Sequence, residues 1–245
     1  MQKTLIKVHL MRINTDLVKN KRYNTSIKAC LLKHSQEFRA LATLRYLFPG
    51  KYDAMVNGEA PDLQDCANST GIEVTAAVKE KDMMASRLFS ELNKGTPKEI
   101  EKRKKTIESS GYTFVPLKDK SVAISVSGTA DGEKLYIQES IKKKNKKLPQ
   151  YRETFRSLGL AIILPEIPTT SAEQHIPEWI SEVLVEVECS YDFVYVISHR
   201  FCIYYNVQEN SLSKHTLSSE ESISLITIGR MTAEGELTLS DVEWL

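Results

Sequence analysis

Residues 58–78 read GEAPDLQDCANSTGIEVTAAV. Asn57-Gly58, just before and at its start, is the strongest short-range hairpin signal. Pro61 suits the first residue of a strand, CANSTG at 66–71 turns the chain, and Ile72 to Val78 has the β-branched content of another strand. If Asp65 faces Thr70 across a four-residue loop, Asp62 falls opposite Glu73 on the same face. Opposed side chains on adjacent antiparallel strands have Cβ atoms about 4.5–5.5 Å apart. Carboxylates that close repel, and one pKa rises, unless a cation lies between them. A register slip of one residue would send the two acids to opposite faces. Glu73 also sits in an otherwise apolar run, where glutamate is disfavoured unless paired or liganded. Oxygen-only ligation by an aspartate and a glutamate suits Mg²⁺ or Mn²⁺.

Outward from this hairpin the chain alternates helix and strand signals. Apolar residues recur with helical spacing from Asn24 to Phe48, and Pro49-Gly50 supplies the stop. Tyr52 to Val56 reads as a short strand. Lys79 to Lys94 is helical by its i, i+4 repeat, with Gly95 as C-cap, and PKEIEKRKKTIESSG forms a second, solvated helix ending at Gly111. Strands follow at Tyr112 to Leu117 and Ser121 to Val126, then a loop from Ser127 to Gly132 and a lysine-rich helix from Glu133 to Lys147. LAIIL at 160–164 is a short apolar strand of the buried kind. Ile176-Pro177 opens WISEVLVEVE, read as helix with the proline in its first turn. YDFVYVISHRFCIYYNV is two strands around a Ser-His-Arg turn, in which Tyr195, Tyr204 and Tyr205 are expected to pack. Ile223 to Ile228 and Glu236 to Leu239 are weaker strand candidates. The order predicts one α/β domain over 1–245, a mixed sheet flanked by helices, with its core at 24–207 and a C-terminal β extension at 211–245.

The 245 residues, 41% hydrophobic and 27% charged, suffice for a sizeable core. A formal net charge of +1 conceals clusters such as Lys102 to Lys105 and Lys142 to Lys147, so the total excludes no anionic partner. Four scattered cysteines (Cys30, Cys66, Cys189, Cys202) form no CxxC pair, which predicts free thiols in a reducing compartment. The start of the chain lacks the apolar run of a signal peptide, and no stretch approaches the ~20 apolar residues that span a bilayer. A cytoplasmic protein with no membrane partner is the expectation. GxSxG, P-loop, GxGxxG and HExxH patterns do not occur.

Pro61-Asp62 followed by Glu73-Val74-Thr75 resembles the PD-(D/E)xK motif of the restriction-endonuclease-like nuclease superfamily. The resemblance covers residues 24 to 207. It takes in a first helix carrying Glu37, the acid-bearing meander, the helix at 79–94 and a later strand. SIKKKNKKLPQY before LAIIL is similar to a lysine-rich helix ending near a tyrosine in relatives of that group. The family lysine would fall at position 75, where this chain has Thr75, a hydroxyl that brings no positive charge.

The resemblance implies a metal-dependent nuclease that hydrolyses phosphodiester bonds. Asp62 and Glu73 would hold Mg²⁺ or Mn²⁺, with Glu37 a third acidic ligand and the Val74 carbonyl a further one. Lys79 or Lys81 would replace the absent lysine. Lys142, Lys143, Lys146 and Lys147 would contact phosphates of a nucleic-acid partner, DNA before RNA, with a homodimer left open. The alternative is a nuclease-fold binding or interaction protein without catalysis. His34, with no partner histidine at ligand spacing, is expected to hydrogen-bond instead of ligating.

Overall fold

The computed structural model describes residues 27–78, 84–85, 87–89, 91–116, 122–126, 130–164, 170–187, 190–242 and 244. Contacts group the chain into two compact units, Met1–Ala77 with Ile137–Leu245, and Val78–Tyr136. In chain order the elements are α1 (Leu32–Leu47), β1 (Val56–Asn57), β2 (Leu63–Asp65), β3 (Thr70–Ala76), α2 (Pro97–Ser109), β4 (Tyr112–Pro116), β5 (Val122–Val126), α3 (Ala130–Asn145), α4 (Leu148–Arg152), β6 (Ser157–Ile163), α5 (Thr170–Glu186), β7 (Phe193–Ile197), β8 (Phe201–Asn206), β9 (Ser211–Thr216) and α6 (Ser219–Ala233). The protein is α/β, as the alternation predicts.

The larger unit is built on a mixed seven-stranded sheet in the order β1-β2-β3-β6-β7-β8-β9. β1, β2 and β3 form an antiparallel meander, β3, β6 and β7 run parallel, and β8 and β9 return antiparallel. Parallel strands need both faces covered, so they read as continuous apolar runs. Leu158 to Ile163 and Phe193 to Ile197 are buried at every position. One face carries Leu63, Ile72, Val74, Ala161, Ile163 and Tyr195, packed against Leu41 and Leu44 of α1 and Leu225 and Ile228 of α6. Tyr52 and Tyr195 join hydroxyls at 2.5 Å within this layer, which satisfies both buried phenols.

The smaller unit pairs β4 with β5 in an antiparallel ladder. Ile107 of α2 and Tyr112 bury with Ala85, Leu88, Phe89, Leu92 and Phe114 in a small core of its own. A Thr96–Glu99 capping box and Pro97 open α2.

The structure departs from the sequence reading at several elements. Residues 51–54 are turn, and only Val56 and Asn57 are strand. α1 begins at Leu32, after a 3-10 turn at Ala29–Leu31, without a side-chain cap to announce it. α5 starts at Thr170, so Pro177 lies inside the helix and not at its first turn. Among the described residues, the β extension at 211–245 is strand only over β9. Ile223 to Ile228 belongs to α6, whose Ser218–Glu221 capping box satisfies the free N–H groups of its first turn. Leu239 opens a 3-10 turn. None of the described helices is long and apolar enough to cross a membrane. Cys30, Cys66 and Cys202 are free thiols, and Cys189 lies outside the described residues.

α6 lies directly on α1 at Gly229. A Cβ there would stand 2.6 Å from Ser35 O and 2.7 Å from Arg39 N, backbone atoms that cannot swing aside. At an exposed helix position Gly→Ala stabilises by about 1 kcal/mol. Here the sign reverses. Gly229→Ala is expected to lower stability by about 1–3 kcal/mol through overpacking, read as a lower urea midpoint. A raised midpoint would show that the two helices are not in contact there.

Candidate functional site

β2 and β3 pair in the register the sequence predicts: Asp65 faces Thr70 and Leu63 faces Ile72. One step beyond the ladder, Asp62 stands opposite Glu73. Asp62 Oδ2 accepts the Val74 N–H at 2.8 Å, which ties the loop after Pro61 to β3. Glu37, on the buried side of α1, joins them. All three carboxylates are almost fully buried, at 2% (Glu37), 2% (Asp62) and 1% (Glu73) relative exposure. Carboxylates are almost never so buried without partners.

The partners are lysines; of these the sequence reading named Lys147, for phosphate contacts, but neither Lys33 nor Lys144. Lys33, one turn before Glu37 on α1, sets its Nζ 3.0 Å from Glu37 Oε1 and 3.0 Å from Asp62 Oδ1. Lys144 at the end of α3 donates to Glu73 Oε1, and Lys147 reaches the same oxygen at 3.1 Å. Tyr151 of α4 donates its hydroxyl to Glu73 Oε2 at 2.9 Å. Asn57 Nδ2 and His34 Nδ1 lie 3.0 and 2.9 Å from Glu37 Oε2, so His34 hydrogen-bonds as expected. Three ammonium groups therefore offset three carboxylates.

Asp62 and Glu73 titrate in opposite directions. Burial and then the negative charge of Glu73 push Asp62 above the usual aspartate value, against the Val74 N–H and Lys33. Burial also opposes ionisation of Glu73, but Lys144, Tyr151 and Lys147 outweigh it and hold Glu73 below its ordinary value. Glu37 is likewise held down, burial being outweighed by Asn57, Lys33 and His34. The cluster places its ionised charge on Glu37 and Glu73 and its most readily protonated oxygen pair on Asp62.

Of the sequence candidates, Glu37, Asp62 and Glu73 come together. Lys79 and Lys81 lie outside the described residues. Lys147 belongs to the acid cluster, Lys142 pairs with Glu186, and Lys143 and Lys146 are exposed. Thr75 is half-buried, two positions past Glu73 in β3. Lys33, Lys144 and Tyr151 were missed as site residues. The one available signal was the lysine-rich helix running into a tyrosine.

Among the described residues no three His, Cys, Asp or Glu side chains stand ready to cage a metal ion. Glu37 Oε1 and Asp62 Oδ1 share the Lys33 ammonium, which is exposed and stands where a cation bridging the two acids would lie. The donors are all oxygen, the set preferred by Mg²⁺ and Mn²⁺.

No protein-family model matches this sequence, and no curated protein or solved structure matches it.

Proposed function

We propose that this chain is a metal-dependent nuclease of the PD-(D/E)xK kind, acting on phosphodiester bonds of nucleic acid. The observation that carries the reading is the convergence of Glu37, Asp62 and Glu73, buried and oxygen-rich, on one helix and one hairpin. Asp62 and Glu73 would hold Mg²⁺ or Mn²⁺, with Glu37 as a third acid and the Val74 carbonyl beside them. A bound divalent cation there supplies a nucleophilic hydroxide and offsets charge on the phosphate.

The side chains of this chain account for the rest. Lys144 takes the role that Thr75 cannot fill, because its ammonium lies on Glu73 and brings positive charge to the site from α3. Tyr151 fixes the rotamer of Glu73 through Oε2 and leaves Oε1 to the lysines. Lys143 and Lys146, exposed at the end of α3 and just beyond it, are placed to contact backbone phosphates. Nucleic acid, DNA before RNA, is the partner in this reading. A homodimer is compatible with it.

A second reading, a nuclease-fold binding protein without catalysis, is favoured by one observation. Lys33 sits between Glu37 and Asp62, where it already neutralises two of the acids. Incubation of the purified protein with labelled single- and double-stranded DNA and RNA, with Mg²⁺ or Mn²⁺, separates the two. The first reading expects metal-dependent cleavage that falls by about 10²–10³-fold in Lys144→Met, the loss typical of one charge-stabilising donor. The second expects no cleavage by the native chain and its appearance in Thr75→Lys. Full activity in Lys144→Met would remove that lysine from the mechanism.

A further inference from the structure

A cavity of about 500 Å³ opens where β3, β6 and β7 begin, at Thr70, Ser157 and Phe193. It shares strand β3 with the carboxylate cluster but none of its residues. Its volume is that of a small-molecule site.

Two cations line it, and neither Lys51 nor Arg156 meets a carboxylate among the described residues. The acids in the wall are already engaged: Asp65 accepts from Asn68, and Asp192 takes both guanidinium N–H groups of Arg152. Lys51 is exposed, with its ammonium over a cluster of rings. Its Nζ lies 4.9 Å from the Tyr204 ring centre, 5.1 Å from Tyr52, 5.6 Å from Phe48 and 5.8 Å from Phe193, all within cation–π range. Burial holds its pKa below the ordinary lysine value. An unpaired, partly desolvated ammonium gains most from an anion that enters with it.

The remaining wall is aromatic and amide. Tyr204, half-buried, contributes ring surface, with the buried Tyr52 and Phe193 behind it, which favours a planar body. Asn68, Asn206 and Gln208 contribute carboxamides. Asn68 and Gln208 donate their amide N–H groups to Asp65 and Asp192, which leaves each carboxamide oxygen to a ligand, whereas Asn206 accepts from Gln208 and Glu209 N–H and donates to Tyr204. Anion, planar ring and amide-readable edge together describe one chemistry.

We propose that this cavity binds a nucleoside phosphate, its phosphate on Lys51 and Arg156 and its base against Tyr204. The ligand is a free nucleotide or the phosphorylated end of a strand. The site does not depend on the nuclease reading, since it uses no residue of the acid cluster.

Isothermal titration of the full chain with AMP, with a 5′-phosphorylated oligothymidylate and with inorganic phosphate tests it. The expected result is saturable binding of AMP or of the 5′-phosphorylated strand, weakened at least tenfold in Lys51→Met and in Arg156→Gln, and unaltered in Lys105→Ala. Binding of AMP identifies the free nucleotide as the source. Strand binding lost on removing the 5′-phosphate identifies the strand end. Three results overturn the proposal: no saturable binding of AMP together with strand binding indifferent to the 5′-phosphate; affinity unchanged in both variants; or inorganic phosphate binding as tightly as AMP. Should a variant fail to fold, reductive methylation of the native protein reads the same contact. Saturating AMP or strand should protect Lys51, and unchanged Lys51 methylation would overturn the proposal.

Discussion

Glu73→Ala is expected to lower the stability of the larger unit by about 3 kcal/mol, the low end for breaking a buried ion pair by deleting one partner. The loss comes from what stays behind. Lys144, only 14% exposed, keeps its charge without a carboxylate, and the Tyr151 hydroxyl loses its acceptor in a buried setting. Lys147, at 52% exposed, returns to water and adds little. Replacing both charges, as in Glu73→Leu with Lys144→Met, should recover most of the loss, because two packed apolar groups avoid the desolvation that both ions suffer. Both tryptophans, Trp179 and Trp244, belong to the larger unit, so urea unfolding followed by their fluorescence reports on it. Equal midpoints for Glu73→Ala and the double replacement would mean that Lys144 is not paired with Glu73.

The same variant carries a pH signature. Glu73 has a folded pKa below its unfolded value, so its stabilisation is present above the unfolded value and lost as pH falls through the folded one. Native protein should therefore lose stability on acidification more steeply than Glu73→Ala.

That ion pair also marks where sequence reading stopped. The hairpin was legible because its determinants are local. Asn57-Gly58, Pro61 and the turn at 66–69 fix a register of period two, and Asp62 then follows from Asp65. The buried strands β6 and β7 were legible because an unbroken apolar run is what a two-sided parallel strand requires. α6 was misread although Ser218 and Glu221 stand at capping-box spacing, since the β-branched run behind them outweighed that signal. The lysines were illegible for a different reason. Lys144 stands 71 residues from Glu73, and nothing in SIKKKNKK distinguishes it from Lys143, which faces solvent. Which lysine turns inward depends on the rotation of α3 about its axis and on the seating of Tyr151. Those are properties of packing, not of spacing.

On the proposed nuclease reading, Asp62→Asn should raise stability at neutral pH while lowering metal-dependent cleavage by on the order of 10²–10³-fold. Both effects have one cause. Burial and the charge of Glu73 raise the folded pKa of Asp62, so ionising it costs more in the folded chain than in the unfolded one. Asparagine removes that charge and keeps an oxygen able to accept the Val74 N–H. Lys33 retains Glu37. The sign of the pH dependence follows. For a carboxylate whose folded pKa is raised, the folded state binds the proton more tightly, so native stability falls as pH rises from the unfolded value through the folded one. The advantage of Asp62→Asn should be full above the folded pKa and shrink towards the unfolded value as native Asp62 takes up its proton. Chemical denaturation of both proteins from acid to neutral pH measures it. Destabilisation at neutral pH would mean that Asp62 is a structural anchor whose charge the fold requires. Stabilisation with cleavage intact would keep the electrostatics and remove Asp62 from catalysis. Stabilisation with cleavage lost is the trade expected where a fold maintains an unfavourable charge for the chemistry it performs.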